Sequence, residues 1–133
     1  MSKSAHRVLT PDPPGFRATL PAQGEWTYED YRRLPNDGWR YEVLRGELHR
    51  TPAPSAKHQA AVRNLAFLFM LFLREQPLGK IYFAPIDVIL PGGLATPVQP
   101  DLVFLFEEHS HRVGEQLIEG APDLIAEVLS PSN

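Results

Sequence analysis

The sequence contains no cysteine in 133 residues. Disulfide staples and thiolate metal sites are therefore excluded, and a reducing compartment is compatible with the composition. Long apolar runs are missing too. The longest, "LAFLFMLFL" at residues 65–73, has nine residues, whereas a membrane-spanning helix needs about 20. The start, "MSKSAHRVLTPDPPGF", lacks an apolar core of signal-peptide length. We read the chain as soluble and cytoplasmic, with no membrane partner. No internal repeat and no glycine-rich phosphate loop is visible. Lysine is scarce, with only Lys3, Lys57 and Lys80.

What remains is a globular composition. The hydrophobic fraction is 43%, enough to exclude a disordered chain, and the length suits one domain with one core. The net charge of −3 is unevenly spread. Residues 1–66 carry 10 Lys/Arg against 7 Asp/Glu, and residues 67–133 carry 3 against 9. A basic half can serve a phosphate backbone and an acidic half a metal ion, but ordinary surface charge accounts for the same counts.

Residues 1–24, with Pro11, Pro13, Pro14 and Pro21, read as a proline-rich N-terminal arm. "TYEDYRRLP" predicts a short helix: Thr27 caps it, acids fill its first turn and Pro35 ends it. "WRYEVLRGELHR" alternates as a hairpin turning at Arg45-Gly46. From His58 to Gln76 the period becomes helical, with Ser55 as a cap. Val62, Leu65, Phe69 and Phe72 form one stripe. Phe67, Leu68, Leu71 and Leu73 extend apolar character around the helix, so it needs cover on more than one side, and a homo-oligomer is expected. "KIYFAPIDVIL", "PDLVFLF" and "PDLIAEVL" read as three strands of an antiparallel meander. "PGGLATP" reads as a loop and "EEHSHRVGEQLIEG" as a polar, exposed segment. The fold class is α+β, a long helix on a mixed, largely antiparallel sheet with an N-terminal helix and hairpin in front.

Two acids interrupt apolar strands. Asp101 opens the second strand and Glu127 closes the third. In antiparallel neighbours the start of one strand lies beside the end of the other, so the pair is expected to converge. A lone buried carboxylate costs several kcal/mol, so such acids are paired or bound to a cation. Without thiols, an oxygen-seeking ion such as Mg²⁺ or Mn²⁺ suits them. The alternative has Asp101 capping a turn after Pro100 and Glu127 pairing with an arginine. Asp123 reads as a turn or strand-edge acid, and Asp87 as a polar edge residue near the same sheet end. Trp26, Trp39 and Tyr41 are candidates for base stacking, with core packing the stronger reading. His109 and His111 are expected in solvent.

The segments "GWRYEVLRGEL", "QPDLVFLF" and "EGAPDLIAEVLSPSN", with His58 opening a long helix between the first two, resemble the Uma-two family of endonucleases, also called domain of unknown function 820. The similarity runs from about Trp26 to the last residue. That family resembles the PD-(D/E)XK nuclease superfamily, which implies a restriction-endonuclease-like domain over residues 25–133 acting on DNA. The resemblance makes Asp101 and Glu127 catalytic metal ligands for Mg²⁺ (or Mn²⁺), with the carbonyl of Val128 as a further ligand. His58 and Glu42 match family residues and are additional candidates; a polar helix-start group and a strand-surface acid are the plainer readings. Glu47 matches similarly. The lysine expected two residues after Glu127 is Leu129 here, and the family resemblance places it on a following helix. The end at Asn133 thus reads as a domain cut before its last core helix and strand. Lys80 is expected about 26 Å from the acids. Weak or absent cleavage is the expectation, with a catalytically silent binding or oligomerisation module as the alternative.

Overall fold

The computed structural model of the chain describes residues 20–130; residues 1–19 of the expected arm lie outside the described residues. Helix α1 (Tyr28–Arg32) leads into a hairpin of β1 (Arg40–Leu44) and β2 (Glu47–Thr51). The long helix α2 (Ala56–Glu75) follows. Six strands complete the order: β3 (Gly79–Phe83), β4 (Asp87–Leu90), β5 (Ala95–Val98), β6 (Leu102–Phe106), β7 (Leu117–Glu119) and β8 (Leu124–Ala126). They form two sheets. One has five strands in the order β2-β1-β5-β4-β7, mixed because β4 and β7 run parallel; the other is antiparallel, β3-β6-β8.

Local chemistry sets the ends of the first elements. The Thr27 hydroxyl accepts from the Asp30 amide while the Asp30 carboxylate accepts from the Thr27 amide, a capping box that starts α1. Arg45 and Gly46 take φ of 50° and 78°. Two positive φ values make the tight turn whose twist matches the flanking strands. Gly46 is also crowded: its carbonyl accepts from the amides of Gly24 and Trp26 at 2.9 Å each, and a Cβ there would strike the Gly24 carbonyl. Gln23 adds a pair of bonds to the Leu48 backbone. The last residues of the expected arm are thereby fastened to the hairpin, and Leu20 packs on Trp26, Tyr41, Val43 and Leu48.

A second buried cluster joins the sheets. Val88 and Ile118 of the five-stranded sheet meet Val103 and Leu105 of the three-stranded one, with Tyr82 against them. Each such burial is worth about 1.5–3 kcal/mol. Strand alternation puts Tyr82, Val103 and Leu105 on one face, and Asp101 has the same parity, at the strand's entrance.

Three expectations about the strands require correction. "KIYFAPIDVIL" is two strands in two sheets. Pro85 has no amide hydrogen and restricts Ala84, so the ladder stops at Phe83 and the chain crosses over. "PGGLATP" is a turn plus β5, whose Ala95 is fully buried. "EEHSHRVGEQLIEG" is not wholly exposed, because β7 inserts Ile118 into the core beside β4. The expected antiparallel neighbours stand, as β3-β6-β8, but β4, β5 and β7 intervene in the other sheet, so these strands are not consecutive and form no meander. Helix α2 begins at Ala56, capped by Ser55, which accepts from the His58 amide at 3.1 Å. Its sheltered residues are His58, Ala60, Val62, Leu65, Ala66, Phe69 and Leu73. Phe72, expected in that stripe, is 57% exposed, and Leu68 is 63% exposed.

Candidate active site

Gln99, Pro100 and Asp101 lie where the chain leaves β5 in one sheet and enters β6 in the other. Pro100 is fully buried, and Asp101 is 5% exposed. The β6–β8 register pairs Leu102 with Ala126. One step further sets Asp101 opposite Glu127, and opposed positions carry Cβ atoms about 5 Å apart. The two acids expected to converge at a sheet end therefore do so. Asp101 Oδ2 accepts from the Val128 amide at 2.8 Å, tying the segment after β8 to the carboxylate.

The opposite wall comes from β1 and α2. On β1, Tyr41 and Val43 point into the Trp26 cluster. Arg40 and Glu42, on the other parity, reach the Gln99–Asp101 segment. Arg40 donates to the Gln99 carbonyl at 2.7 Å and pairs with Asp101 Oδ1 at 3.4 Å. Glu42 accepts from the Gln99 amide at 2.7 Å. From the start of α2, His58 Nε2 stands 3.2 Å from Asp101 Oδ2 and 2.9 Å from the Val128 carbonyl oxygen. A carbonyl only accepts, so Nε2 is the donor. Nδ1 of the same ring is buried with no hydrogen-bond partner, a condition that costs about 1–3 kcal/mol.

Electrostatics distinguish Glu127. Burial and then the negative charges of Asp101 and Glu42 push its carboxyl up to about 7, against an opposing pull from Arg40. Much of the Glu127 residue faces solvent, so the two neighbouring carboxylates, acting through space, are the firmer cause. Three acids thus crowd one arginine and one histidine. Among the described residues, no three His, Cys, Asp or Glu side chains stand closely enough to hold a metal ion by themselves. The Asp101 and Glu127 carboxylates and the Val128 carbonyl are hard oxygen donors of the kind a small divalent cation takes. A cleft of about 580 Å³ opens beside Asp101, walled by α2 at Val62, Ala66 and Met70 and by Phe83 and Pro85, with Arg40 and Arg63 at its polar margin.

The other candidates fall elsewhere. Asp87 is held by Tyr28 and Tyr31 hydroxyls at 3.0 and 2.9 Å and by the Gln99 side-chain Nε2 at 2.9 Å. Burial, with the Asp87 charge, raises both phenols and keeps them protonated. Asp87 is therefore a neighbour of the acid pair through Gln99, not a member. Asp123 accepts from the Phe106 amide and pairs with His109 at 2.8 Å, which holds its carboxyl below the usual range. His109 is thus bound to a carboxylate instead of free in solvent. Glu47 is exposed beside His49. Trp26 and Tyr41 are core residues, while Trp39 is 41% exposed and covered by Arg50 at 4.2 Å. Lys80 lies opposite Leu105, so it is roughly 13 Å from the Asp101 end of the strand rather than 26 Å, and it is exposed. Arg40 and Gln99 were not singled out in the sequence. The parity of Arg40 with Glu42 across Tyr41 is the signal that marks Arg40; Gln99 stood inside the quoted "QPD".

The fold is similar to that of a protein of known structure. The chain superposes on a protein described as "a putative nuclease belonging to DUF820" from Anabaena variabilis ATCC 29413, with a TM-score of 0.62 and 20% identity. The match covers 80% of this chain and 59% of that one, so this chain spans less than two thirds of that protein's length. The family profile Uma2, described as "Putative restriction endonuclease", matches residues 28–133. The chain belongs to the Uma2 family. No curated protein matches its sequence.

Proposed function

We propose that this chain carries the acid pair of a divalent-metal-dependent endodeoxyribonuclease, which hydrolyses phosphodiester bonds in DNA. The observation that carries the reading is the crowding of Glu42, Asp101 and Glu127 at one sheet end, where Glu127 is pushed up to about 7. Excess negative charge of that kind is relieved by a cation. Asp101, Glu127 and the Val128 carbonyl would hold Mg²⁺ or Mn²⁺. Such an ion, when bound, supplies Lewis-acid polarisation of a phosphoryl oxygen and activation of water. Asp101 is oriented for this by the Val128 amide and Arg40. Arg40 is the cation beside the acids, and its guanidinium suits negative charge developing on a phosphoryl group. Lys57 and Lys80 are both exposed and paired with neither acid, so cleavage by this chain is expected to be weak.

A second reading has its own observation. Phe67, Leu68 and Phe72 on α2 are 56%, 63% and 57% exposed, which favours a binding or homo-oligomerisation module without catalysis. Calorimetry with Mn²⁺ and plasmid nicking separate the two. Asp101→Asn and Glu127→Gln are each expected to weaken Mn²⁺ binding at least about tenfold while leaving the fold intact, and to abolish residual nicking. Unchanged binding in both variants rejects the metal site and leaves the second reading.

A further inference from the structure

Gln99 is buried just ahead of Pro100 and Asp101, and four side chains from β1, α1 and β4 hold it. Beyond the end of β5, its main-chain amide donates to Glu42 at 2.7 Å and its carbonyl accepts from Arg40 at 2.7 Å. Its side-chain Nε2 donates to Asp87 Oδ1 at 2.9 Å and to the Tyr31 hydroxyl at 3.0 Å. The Tyr31 hydroxyl in turn donates to Asp87 Oδ1 at 2.9 Å, closing a ring of three side chains. We propose that Gln99 is a positioning residue for the acid pair: the Asp87–Tyr31 seat fixes its side chain and, through it, the places of Asp101, Arg40 and Glu42.

The role rests on the proposed acid pair, because Gln99 acts through its neighbours. Three observations separate it from a bond network that only stabilises the fold. The first is what Gln99 holds. Arg40 pairs with Asp101, and the charges of Arg40 and Glu42 both act on Glu127. A Gln99 released from its seat loosens both groups. The second is the link to Asp101. Pro100, fully buried, locks its own φ and restricts the backbone of Gln99. Movement of Gln99 therefore passes to Asp101 instead of dissipating in a flexible joint. The third is the choice of anchor. Tyr28, Tyr31 and Gln99 are neutral groups, and all donate to Asp87. A sheltered carboxylate is a costly group with which to open a strand if stability alone is served. Its charge makes the bonds it accepts roughly twice as strong as those between neutral groups, which stiffens the seat.

The test exchanges the two partners. Gln99→Glu sets a carboxylate against Asp87; adding Asp87→Asn restores one donor and one acceptor with the original total charge. The Val128 amide reports the site without metal or turnover, because it donates to Asp101 Oδ2 at 2.8 Å. A bond to a carboxylate displaces an amide proton downfield, and a loss of global stability does not move that native-state resonance. In EDTA, Gln99→Glu is expected to lose the displacement and the double variant to recover it. Calorimetry is expected to show Mn²⁺ affinity falling about tenfold in Gln99→Glu and returning to within about threefold in the double variant. An unmoved Val128 resonance, an unchanged Mn²⁺ affinity, or a double variant no better than the single one overturns the positioning role. No Mn²⁺ heat from the unmodified chain overturns the metal reading instead, and the Val128 resonance then judges Gln99 by itself. Should Gln99→Glu not fold, Tyr31→Phe removes one group of the same seat. A smaller loss in the same direction is expected in both measurements, and no change in either sinks the proposal.

Discussion

Replacing Glu127 by glutamine removes one titrating group from the crowded end of the sheet, and the outcome is readable without any metal. In the folded chain the Glu127 carboxyl is pushed from its ordinary 4.5 up to about 7. An acid with a raised folded value binds its proton more tightly when folded. Between those two values the native state therefore carries more protons than the unfolded state, and stability falls as pH rises through the window. Fully converted at about 1.4 kcal/mol per pH unit, the displacement sets an upper limit of roughly 3 kcal/mol. Glu127 is solvent-facing over much of its surface, and screening reduces the effect to on the order of 1–2 kcal/mol. The assay is urea unfolding in EDTA from pH 5 to pH 8, for the unmodified chain and Glu127→Gln. The unmodified chain should lose about 1–2 kcal/mol more than the variant across that range, most of it by pH 7. Saturating Mn²⁺ should restore the loss at pH 8 in the unmodified chain alone. Parallel stability–pH curves for the two proteins would mean that neither burial nor the charges of Asp101 and Glu42 raise Glu127, and the argument for a cation there would collapse.

Two further outcomes concern the frame around the site. Gly46→Ala should destabilise the chain by about 2–4 kcal/mol, because a Cβ at φ 78° strikes the Gly24 carbonyl and breaks the bonds to Gly24 and Trp26; thermal unfolding within 2 °C of the unmodified chain (roughly 0.5 kcal/mol) would contradict this. The exposed apolar face of α2 is expected to drive self-association at micromolar concentration, measured by light scattering as a mass above the 15.0 kDa of one chain. Phe67→Glu with Leu71→Glu should shift the distribution toward that mass, and a clean monomer before substitution would remove the oligomer.

Features that depend on neighbours in the chain were legible from residues alone. Thr27 and Ser55 cap the helices they precede, since a hydroxyl beside the first free amides satisfies them wherever the helix packs. Arg45-Gly46 turns the hairpin because two residues with positive φ suffice for it. The antiparallel meaning of "PDLVFLF" and "PDLIAEVL" brought Asp101 opposite Glu127, since register follows from alternation and strand ends.

Tertiary structure decided what those elements face. Nothing local separates β3 from β4 into different sheets except Pro85, and only the packed fold shows that Val88 and Ile118 cover Val103 and Leu105. The polar ring of the hairpin, Arg40 and Glu42, could be assigned to one face of β1 but not to the Gln99–Asp101 crossover it meets. The raised carboxyl of Glu127 arises from burial and from charges 26 and 85 positions away in sequence, and the His58 bridge joins residues 43 and 70 apart. Through-space repulsion and a single shared N–H act over a few ångströms, a distance that only the folded chain sets.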